Sequence, residues 1–487
     1  MNKGNQVVPL AVKPFSLIIV SILLIMGGWA LKASAQTLTT LYSFSGSDGA
    51  VPIAALVQAG DGNFYGTTYA GGRTGNGTVF RISPGGNLTN LYSFKGGTDG
   101  YRPYSLARGT DGNFYGTTER GGTSNNGTVF RISPKGKLSH LYSFTGGRDG
   151  GIPYAGLVRG GDGFFYGTTH NWGTSTNGNF GSGTVFRITP NGSLTTLHSF
   201  GGTDGASPYA AVVRGNDGYF YGTTQFGGTN GTTGFGTVFR ISPDGNFTSL
   251  HSFTGGSDGA LPLGSLVQGG DGNFYGTTRE GGTSGTGTVF RISPNGTLTN
   301  LYSFSGGNDG AFPYAGLLQG SDGYFYGSTP FGGTSTNCSE GCGIVFRISQ
   351  DGSLTSLHSF SGSDGAILDA GLVQGSDGYF YGASGAGGSS TNCFGGGCGT
   401  VFRLTLSLCP PPNQISEAHR VNTNIVIAIP SVSGETYQLQ FSSSMTPTNW
   451  VNVPSVSVTN SIGALLTLTN FGGAIGPQGF YRFDITP

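Results

Sequence analysis

Residues 61–94 read DGNFYGTTYAGGRTGNGTVFRISPGGNLTNLYSF, and three blocks within this stretch each occur seven times along the chain. The first block, Asp-Gly-x-Phe-Tyr-Gly, begins at Asp61, Asp111, Asp162, Asp217, Asp271, Asp322 and Asp377. The second, Gly-Thr/Ile-Val-Phe-Arg, begins at Gly77, Gly127, Gly183, Gly236, Gly287, Gly343 and Gly399. The third, Leu-Tyr/His-Ser-Phe, begins at Leu41, Leu91, Leu141, Leu197, Leu250, Leu301 and Leu357. A fixed period of about fifty residues indicates a repeat architecture.

Each repeat is predicted to form four short antiparallel strands. In the first repeat the strands are residues 55–57, 64–68, 78–83 and 88–94. Asp-Gly and Pro-Gly pairs between β-branched and aromatic runs favour hairpins between them. Radial stacking of such sheets buries their apolar faces. The sequence therefore predicts an all-β fold, a seven-bladed β-propeller of four-stranded blades.

The two ends of the repeat array predict how the ring closes. Residues 38–44 are a lone copy of the fourth strand, and the array ends at a third strand, residues 401–403. If the N-terminal strand completes the last blade, the propeller accounts for residues 36–407. The alternative is an open solenoid, which exposes strand edges and normally needs distinct caps.

The segments outside the array have other predicted roles. Residues 1–35 combine a positive start, an apolar stretch and the small residues Ala33-Ser34-Ala35, which is typical of a cleaved signal peptide. An uncleaved anchor helix is the alternative. Residues 408–415 contain three consecutive prolines and form a predicted linker. Residues 416–487 alternate polar and apolar side chains and predict a small β-sandwich.

Charge limits the classes of partner. The 487 residues include 23 basic and 23 acidic side chains, so the formal net charge is zero. A nucleic-acid-binding protein needs a basic surface that neutralises phosphates, so nucleic acid is not an expected partner. After residue 35 no apolar run reaches the length of a membrane span. We therefore expect a secreted or cell-surface protein, monomeric, with no membrane span after cleavage.

The acidic residues provide little for catalysis. Fourteen of the eighteen aspartates occupy the two Asp-Gly positions of the repeats. A glycosidase needs two carboxylates in different environments beside one bond, which turn carboxylates common to all repeats do not supply. Glu119 and Glu280, in equivalent loops, are the remaining candidates. We expect no catalytic residue, no cofactor and no metal, with calcium at the single-aspartate turns as the alternative to a plain turn.

The arginine that ends the second block recurs in every repeat, just before the turn at the rim that carries the first block. We therefore predict that Arg81 pairs with Asp61, that Arg240 pairs with Asp217, and that these pairs form a structural girdle. The alternative is that the seven arginines bind a polyanion.

The loops between the second and third strands differ from repeat to repeat, whereas the opposite rim looks alike in every blade. The candidate ligand-binding residues on this variable rim are Tyr69, Glu119, Arg120, His170, Trp172, Phe226, Arg279, Glu280 and Phe331. Loops on a rigid frame often carry function, and drift of exposed loop tips is the alternative. The expected ligand is a glycan or another surface protein.

Two pairs of cysteines lie in equivalent loops of the sixth and seventh repeats. Cys338 with Cys342, and Cys393 with Cys398, are predicted to form disulfides. A four-thiolate metal site is the alternative. Cys409 has no partner in this pattern.

The three blocks, in the same order in all seven repeats, resemble the choice-of-anchor tandem repeat family called GloVer. The resemblance implies an exported bacterial protein whose C-terminal module varies, and it implies no established activity. Three interpretations follow: a non-enzymatic binding protein, an extracellular glycan-active enzyme, or a purely structural cell-surface protein.

Overall fold

The computed structural model describes residues 36–174, 182–229, 233–390, 392–393 and 396–406, together with the backbone of six strands between residues 417 and 486. The predicted signal peptide, the predicted linker and Cys409 lie outside the described residues.

The strands are short and evenly spaced along the chain. The chain begins with β1 (Thr37–Ser43), and the first blade contains β2 (Val57–Gln58), β3 (Phe64–Thr68), β4 (Thr78–Ile82) and β5 (Leu88–Ser93). The second contains β6 (Tyr101–Arg108), β7 (Phe114–Arg120), β8 (Thr128–Ile132) and β9 (Leu138–Ser143). The third contains β10 (Val158–Arg159), β11 (Phe165–Thr169), β12 (Thr184–Ile188) and β13 (Leu194–Ser199). The fourth contains β14 (Val213–Arg214), β15 (Phe220–Thr224), β16 (Thr237–Ile241) and β17 (Phe247–Ser252).

The remaining blades repeat this pattern. The fifth contains β18 (Val267–Gln268), β19 (Phe274–Thr278), β20 (Thr288–Ile292) and β21 (Leu298–Ser303). The sixth contains β22 (Leu318–Gln319), β23 (Phe325–Thr329), β24 (Ile344–Ile348) and β25 (Leu354–Ser359). The last contains β26 (Val373–Gln374), β27 (Phe380–Ser384) and β28 (Thr400–Thr405). A single-turn 3-10 helix, Gly97–Asp99, lies in the connector between the first two blades.

These strands form seven four-stranded antiparallel sheets, and the last sheet is completed by the N-terminal strand. β1 pairs with β28, with Thr37 opposite Thr405 and Ser43 opposite Thr400. The predicted seven-bladed propeller and its closure are therefore confirmed. The first strand of most blades is only two residues long, so the strand predicted at residues 55–57 is β2 at Val57–Gln58.

Burial follows the position of each strand within its blade. The second and third strands are almost entirely buried, whereas the fourth strands are half-exposed. The first strands of neighbouring blades lie side by side and surround the central channel. Small residues allow this approach, because a Cβ added to Gly316 would collide with the carbonyl oxygen of Ser265.

Every boundary between blades contains the same aromatic stack. The ring of Tyr65 lies against Phe114 of the next blade, with centroids 4.2 Å apart. The other pairs, at 3.8 to 4.2 Å, are Tyr115–Phe165, Tyr166–Phe220, Tyr221–Phe274, Tyr275–Phe325, Tyr326–Phe380 and Tyr381–Phe64. The last pair joins the seventh blade to the first, so the stacks form a closed ring.

The first block of the repeat builds this stack. The carboxylate of Asp61 accepts hydrogen bonds from the Tyr65 hydroxyl at 2.9 Å and from the Asn63 amide at 3.1 Å. Gly62 has φ +78°, which the turn requires. A Cβ on Gly66 would lie 2.6 Å from Phe80, so only glycine fits there.

The third block makes a second set of contacts at each boundary. Phe44 packs edge-to-face on Phe80 of the next blade, with centroids 5.3 Å apart, and the six equivalent pairs recur around the ring. The residue two positions earlier holds the connector: Tyr42 donates a hydrogen bond to Asp48 at 2.5 Å, and His198 bonds Asp204 at 2.8 Å. The histidines of this block are therefore structural.

The predicted pairs of Asp61 with Arg81 and of Asp217 with Arg240 are not formed as ion pairs within 4.0 Å. Tyrosine is the reason, because its hydroxyl occupies the aspartate: Tyr221 donates to Asp217 at 2.6 Å. The Arg240 guanidinium instead lies over the ring of Tyr219, 5.2 Å from the centroid. The girdle is therefore a set of Tyr–Asp hydrogen bonds, with an arginine stacked on an aromatic ring in four of the seven blades.

The two predicted disulfides, Cys338–Cys342 and Cys393–Cys398, are confirmed, with Cα atoms 5.3 and 5.2 Å apart. Because each pair of cysteines is joined by its own disulfide, these four sulfur atoms do not form the alternative four-thiolate metal site.

The C-terminal strands form two three-stranded antiparallel sheets, a backbone pattern compatible with the predicted sandwich. The strands are β29 (Glu417–Val421), β30 (Asn424–Pro430), β31 (Thr436–Ser442), β32 (Val451–Thr459), β33 (Leu465–Asn470) and β34 (Phe480–Thr486). β30 is central in one sheet, between β29 and β33, and β31 is central in the other, between β32 and β34. Within the described part of the chain, no helix has the length and apolarity that crossing a bilayer requires.

Substitution of Phe44 by alanine tests the closure of the ring. Phe44 is fully buried at the boundary between the last and first blades, and Phe94 is its equivalent one boundary further on. We expect both alanine variants to lose roughly 3–5 kcal/mol of unfolding free energy, measured by urea denaturation. A Phe44→Ala variant as stable as the parent protein would contradict closure by β1.

Substitution of Arg240 by methionine tests the corrected girdle. Because Arg240 stacks on a ring and its Nε atom is buried without a partner, we expect a loss below about 1 kcal/mol. Removing the tyrosine hydroxyl with Tyr221→Phe should cost more, roughly 1.5–3 kcal/mol, since Asp217 loses its side-chain donor and keeps only the Tyr219 amide. If urea denaturation instead gives the larger loss for Arg240→Met, the result would support the predicted ion pair between Asp217 and Arg240.

Candidate functional site

Each connector between blades contains one clamp residue, whose backbone lies in the left-handed region with φ between 53° and 58°. These residues are Val51, Arg102, Ile152, Ser207, Leu261, Phe312 and Ile367. The Val51 amide donates to Cys398 of the preceding blade at 2.9 Å, and its carbonyl accepts from Tyr69 at 3.0 Å. A non-glycine residue in this region costs about 1–3 kcal/mol, which the bonds on both sides offset. The connector therefore has a defined backbone on which nearby side chains are positioned.

The residue two positions after each clamp lies at the variable-rim end of the channel. These residues are Ile53, Tyr104, Tyr154, Tyr209, Leu263, Tyr314 and Asp369. Tyr154 contacts Tyr104 with centroids 5.6 Å apart and stacks on Tyr209 at 5.0 Å. Three neighbouring blades therefore contribute a continuous aromatic surface at the mouth of the channel, in which Tyr104 is 8% exposed and Tyr154 and Tyr209 are half-buried.

The opposite side of the mouth carries an isolated carboxyl group. Burial raises the pKa of Asp369 to about 7. Burial also raises the pKa of Tyr209 to about 12, and the charge of Asp369 contributes to that shift. These residues belong to the seventh and fourth blades, so they influence each other across the channel. The mouth thus combines aromatic rings with a carboxyl group that titrates near neutral pH.

Glu119 lies beside the aromatic surface and is already bonded by three donors. Its side chain is 4% exposed. It accepts hydrogen bonds from Tyr69 at 2.7 Å, from Arg102 at 3.1 Å and from Arg120 at 3.4 Å. Burial raises the pKa of Tyr69, and its bond to Glu119 adds to the effect. Glu119 therefore fixes the loops of the first two blades.

His170 continues the same cluster in the third blade. Its ring packs edge-to-face on Tyr154 at 4.9 Å, and its Nε2 atom lies 3.4 Å from the side-chain oxygen of Gln225. Burial lowers the pKa of His170, which favours the neutral ring. Four of the predicted residues (Tyr69, Glu119, Arg120 and His170) are thus brought together.

The other candidates lie elsewhere on the rim. Arg279 pairs with Glu280 at 2.6 Å and lies over the ring of Tyr314, 5.4 Å from the centroid. Phe331 lies beside Phe312 on an open surface groove of about 540 Å³.

Trp172 and Phe226 are half-buried at the bases of their loops. Trp172 covers Gly151, and the backbone of Phe226 pairs with Ala206. In the described part of the chain, no group of three or more His, Cys, Asp or Glu side chains could hold a metal ion.

Sequence reasoning missed the tyrosines of the channel mouth and Asp369. The available signal was variation, because this position holds isoleucine, leucine, tyrosine or aspartate although a proline precedes it in six of the seven repeats. Its meaning depends on ring closure, since only a closed ring turns one position per repeat into one surface.

The pH dependence of stability tests the environment of Asp369. An unfolded aspartate has a pKa of about 3.9, so between pH 4 and pH 7 folding keeps this carboxyl protonated, and above pH 7 ionisation in the channel is costly. We expect Asp369→Asn to match the parent near pH 4 and to melt at a higher temperature at pH 8. Asp244→Asn, in an exposed turn, is the control. A difference that stays constant from pH 4 to pH 8 would contradict this environment.

Comparisons with known proteins give a family and a set of similar folds. Residues 28–180 and 173–402 match the family model of the Gloeobacter/Verrucomicrobia repeat. Each of three similar solved structures covers 76% of this chain. They are a gluconolactonase from Xanthomonas campestris (13% identity, 90% of that chain, TM-score 0.40), a protein titled as a putative oxidoreductase (glucose dehydrogenase) from Thermus thermophilus (15%, 100%, 0.40) and a luciferin-regenerating enzyme (10%, 95%, 0.41). No curated protein matches the chain. Since the matched residues make up most of the sequence and carry the repeat blocks, this chain belongs to the Gloeobacter/Verrucomicrobia repeat family.

Proposed function

We propose that this protein is a secreted, non-enzymatic binding protein that holds a neutral glycan at the variable-rim mouth of the propeller channel. The observation that carries the proposal is the joined surface of Tyr104, Tyr154 and Tyr209, with Asp369 across the channel. Ligand sites in rigid scaffolds combine apolar or aromatic walls with a few convergent polar groups.

The chemistry of this surface suits a sugar. A pyranose ring has an apolar C–H face that packs on an aromatic ring, and hydroxyl groups around its edge that need donors and acceptors. Tyrosine hydroxyls and the Asp369 carboxyl supply both. The rings also carry little conformational entropy to lose, because Tyr154 is already held by Tyr209 and His170.

The environments of the two glutamates support binding over catalysis. Glu119 is enclosed by three donors, and a general acid or base needs a free carboxyl beside the substrate. Glu280 is paired with Arg279. These contacts engage both glutamates that the sequence offered as catalytic candidates.

A glycan-active enzyme that uses Asp369 is the second candidate. The pKa of Asp369, about 7, suits a general acid or base at neutral pH. On this alternative the protein would release reducing sugar from its ligand, and Asp369→Asn would abolish the release.

Export is supported by the cysteines. Two disulfides in short surface loops form and persist in an oxidising compartment. The signal-peptide pattern of residues 1–35 points the same way.

Binding of the protein from residue 36 onward to an array of neutral oligosaccharides, followed by calorimetry with the best ligand, tests the proposal. We expect Tyr154→Ala to weaken that ligand about tenfold, because it removes the central ring of the aromatic surface.

Tyr324→Ala is the matched control, since Tyr324 is an exposed tyrosine on the opposite rim, stacked on Arg347. We expect it to leave affinity unchanged. The proposal fails if no array glycan binds, or if the two variants weaken binding equally.

A further inference from the structure

The last residue of the first strand differs between two groups of blades, on the rim opposite the channel mouth described above. Four blades carry glutamine there: Gln58, Gln268, Gln319 and Gln374. The second, third and fourth blades carry Arg108, Arg159 and Arg214. The arginines therefore occupy three consecutive blades.

Each glutamine joins two turns. The side-chain oxygen of Gln58 accepts the amide of Ser376, in the turn of the preceding blade, at 2.8 Å, and its nitrogen donates to Gly62 of its own turn at 3.3 Å. The three equivalent amide bonds, at 2.9 to 3.1 Å, are Asn216 to Gln268, Gly270 to Gln319 and Ser321 to Gln374. At these four boundaries the backbone donor of the turn is satisfied by a side-chain acceptor.

At the three boundaries where arginine replaces glutamine, the side chain offers hydrogen-bond donors and no acceptor for the turn amide. The amides equivalent to that of Ser376 belong to Gly60, Thr110 and Gly161, and none of them donates to an acceptor among the described residues. An arginine has five N–H donors and no acceptor. The Arg108 guanidinium lies against Gly60, 3.0 Å from where a Cβ would stand, and Arg214 lies against Gly161 at 2.8 Å. At these two boundaries the guanidinium therefore lies beside the residue whose amide has no acceptor among the described residues.

The three arginines are also free of acidic partners. All three are exposed, and none forms an ion pair within 4.0 Å among the residues described. The seven arginines of the third strands differ, since several of them stack on aromatic rings.

We propose that Arg108, Arg159 and Arg214, with the amides of Gly60, Thr110 and Gly161, form an anion-binding arc that takes the carboxylates of an acidic polysaccharide. At each boundary one carboxylate oxygen replaces the glutamine oxygen and accepts from both the amide and the guanidinium. Charge-assisted bonds of this kind are stronger than neutral ones. The arc lies on the other rim from the proposed neutral-glycan site and is independent of it.

The spacing of charge favours a uronic-acid polymer over nucleic acid. Each of these blades offers one arginine, and the turn carboxylates Asp111 and Asp162 stand between successive arginines. A polymer with one carboxylate per sugar places its charges apart, whereas a phosphate backbone is continuous and would meet the aspartates.

The test is retention of the protein from residue 36 onward on immobilised polygalacturonate. The decisive variant is Arg108→Gln/Arg159→Gln/Arg214→Gln, because glutamine already fits at four equivalent boundaries and the variant should fold normally. We expect it to bind at least about tenfold more weakly than the parent, and to melt at the same or a higher temperature. Binding by the parent should weaken between low and high salt.

The matched control is Arg131→Gln/Lys135→Gln/Lys137→Gln, which removes the same charge from the same rim away from the first strands. We expect it to bind within about twofold of the parent. Retention on immobilised sulfated dextran is measured as well. If it exceeds retention on polygalacturonate and depends on the same three arginines, the arc is supported and sulfate esters are the source of the anion. Equal losses in both triple variants, no binding to any acidic polysaccharide, or equal competition by an oligonucleotide would each overturn the proposal. Tyr154→Ala should leave this binding unchanged, so failure here is separable from failure at the channel mouth.

Discussion

The stack of a tyrosine on the phenylalanine of the next blade is the interaction on which the rest of the structure depends. In the block that contains Phe64 and Tyr65, the two adjacent rings face opposite neighbours, because side chains alternate along a strand. A blade therefore buries both rings only when it has a neighbour on each side. A linear array would leave one ring of this kind exposed at each end, whereas a closed ring exposes none. The final stack, Tyr381 on Phe64, makes closure part of the same contact.

Sequence reasoning was successful where the signal was local and repeated. The turns and strands follow from Asp-Gly pairs and aromatic runs, and the unmatched fourth strand near residue 40 predicted its pairing with β28. The arginine–aspartate pair failed because charge alone was considered. Tyr65 lies directly opposite Arg81 in the sheet, between the arginine and the turn. The tyrosine hydroxyl therefore donates the hydrogen bond to Asp61 that was predicted for the arginine. Opposite charges at one rim do not identify a pair when a neutral donor is closer.

The candidate site illustrates a different limit. The variable loops were recognised, and Tyr69, Glu119, Arg120 and His170 are indeed adjacent. Their contacts, however, hold the loops together, while the rings and the carboxyl group of the proposed site belong to the residue two positions after the connector clamp. One residue per repeat, fifty residues apart, gives no periodic signal on its own. It becomes a surface because neighbouring blades bring Tyr104, Tyr154 and Tyr209 within ring contact.

The two rims tolerate change for different physical reasons. At the connector, the clamp residue makes its hydrogen bonds through the backbone. The side chain two positions later, such as Tyr154 or Asp369, can therefore differ between blades without a loss of these bonds. At the other rim, the glutamine side chain is itself part of the frame, and each arginine boundary gives up a hydrogen bond that contributes roughly 0.5–1.5 kcal/mol. The glutamine hydrogen bond is lost in three consecutive blades, and each time an arginine stands near an amide that has lost its acceptor. Independent drift of surface residues would scatter these losses around the ring, whereas a ligand that spans adjacent blades would group them.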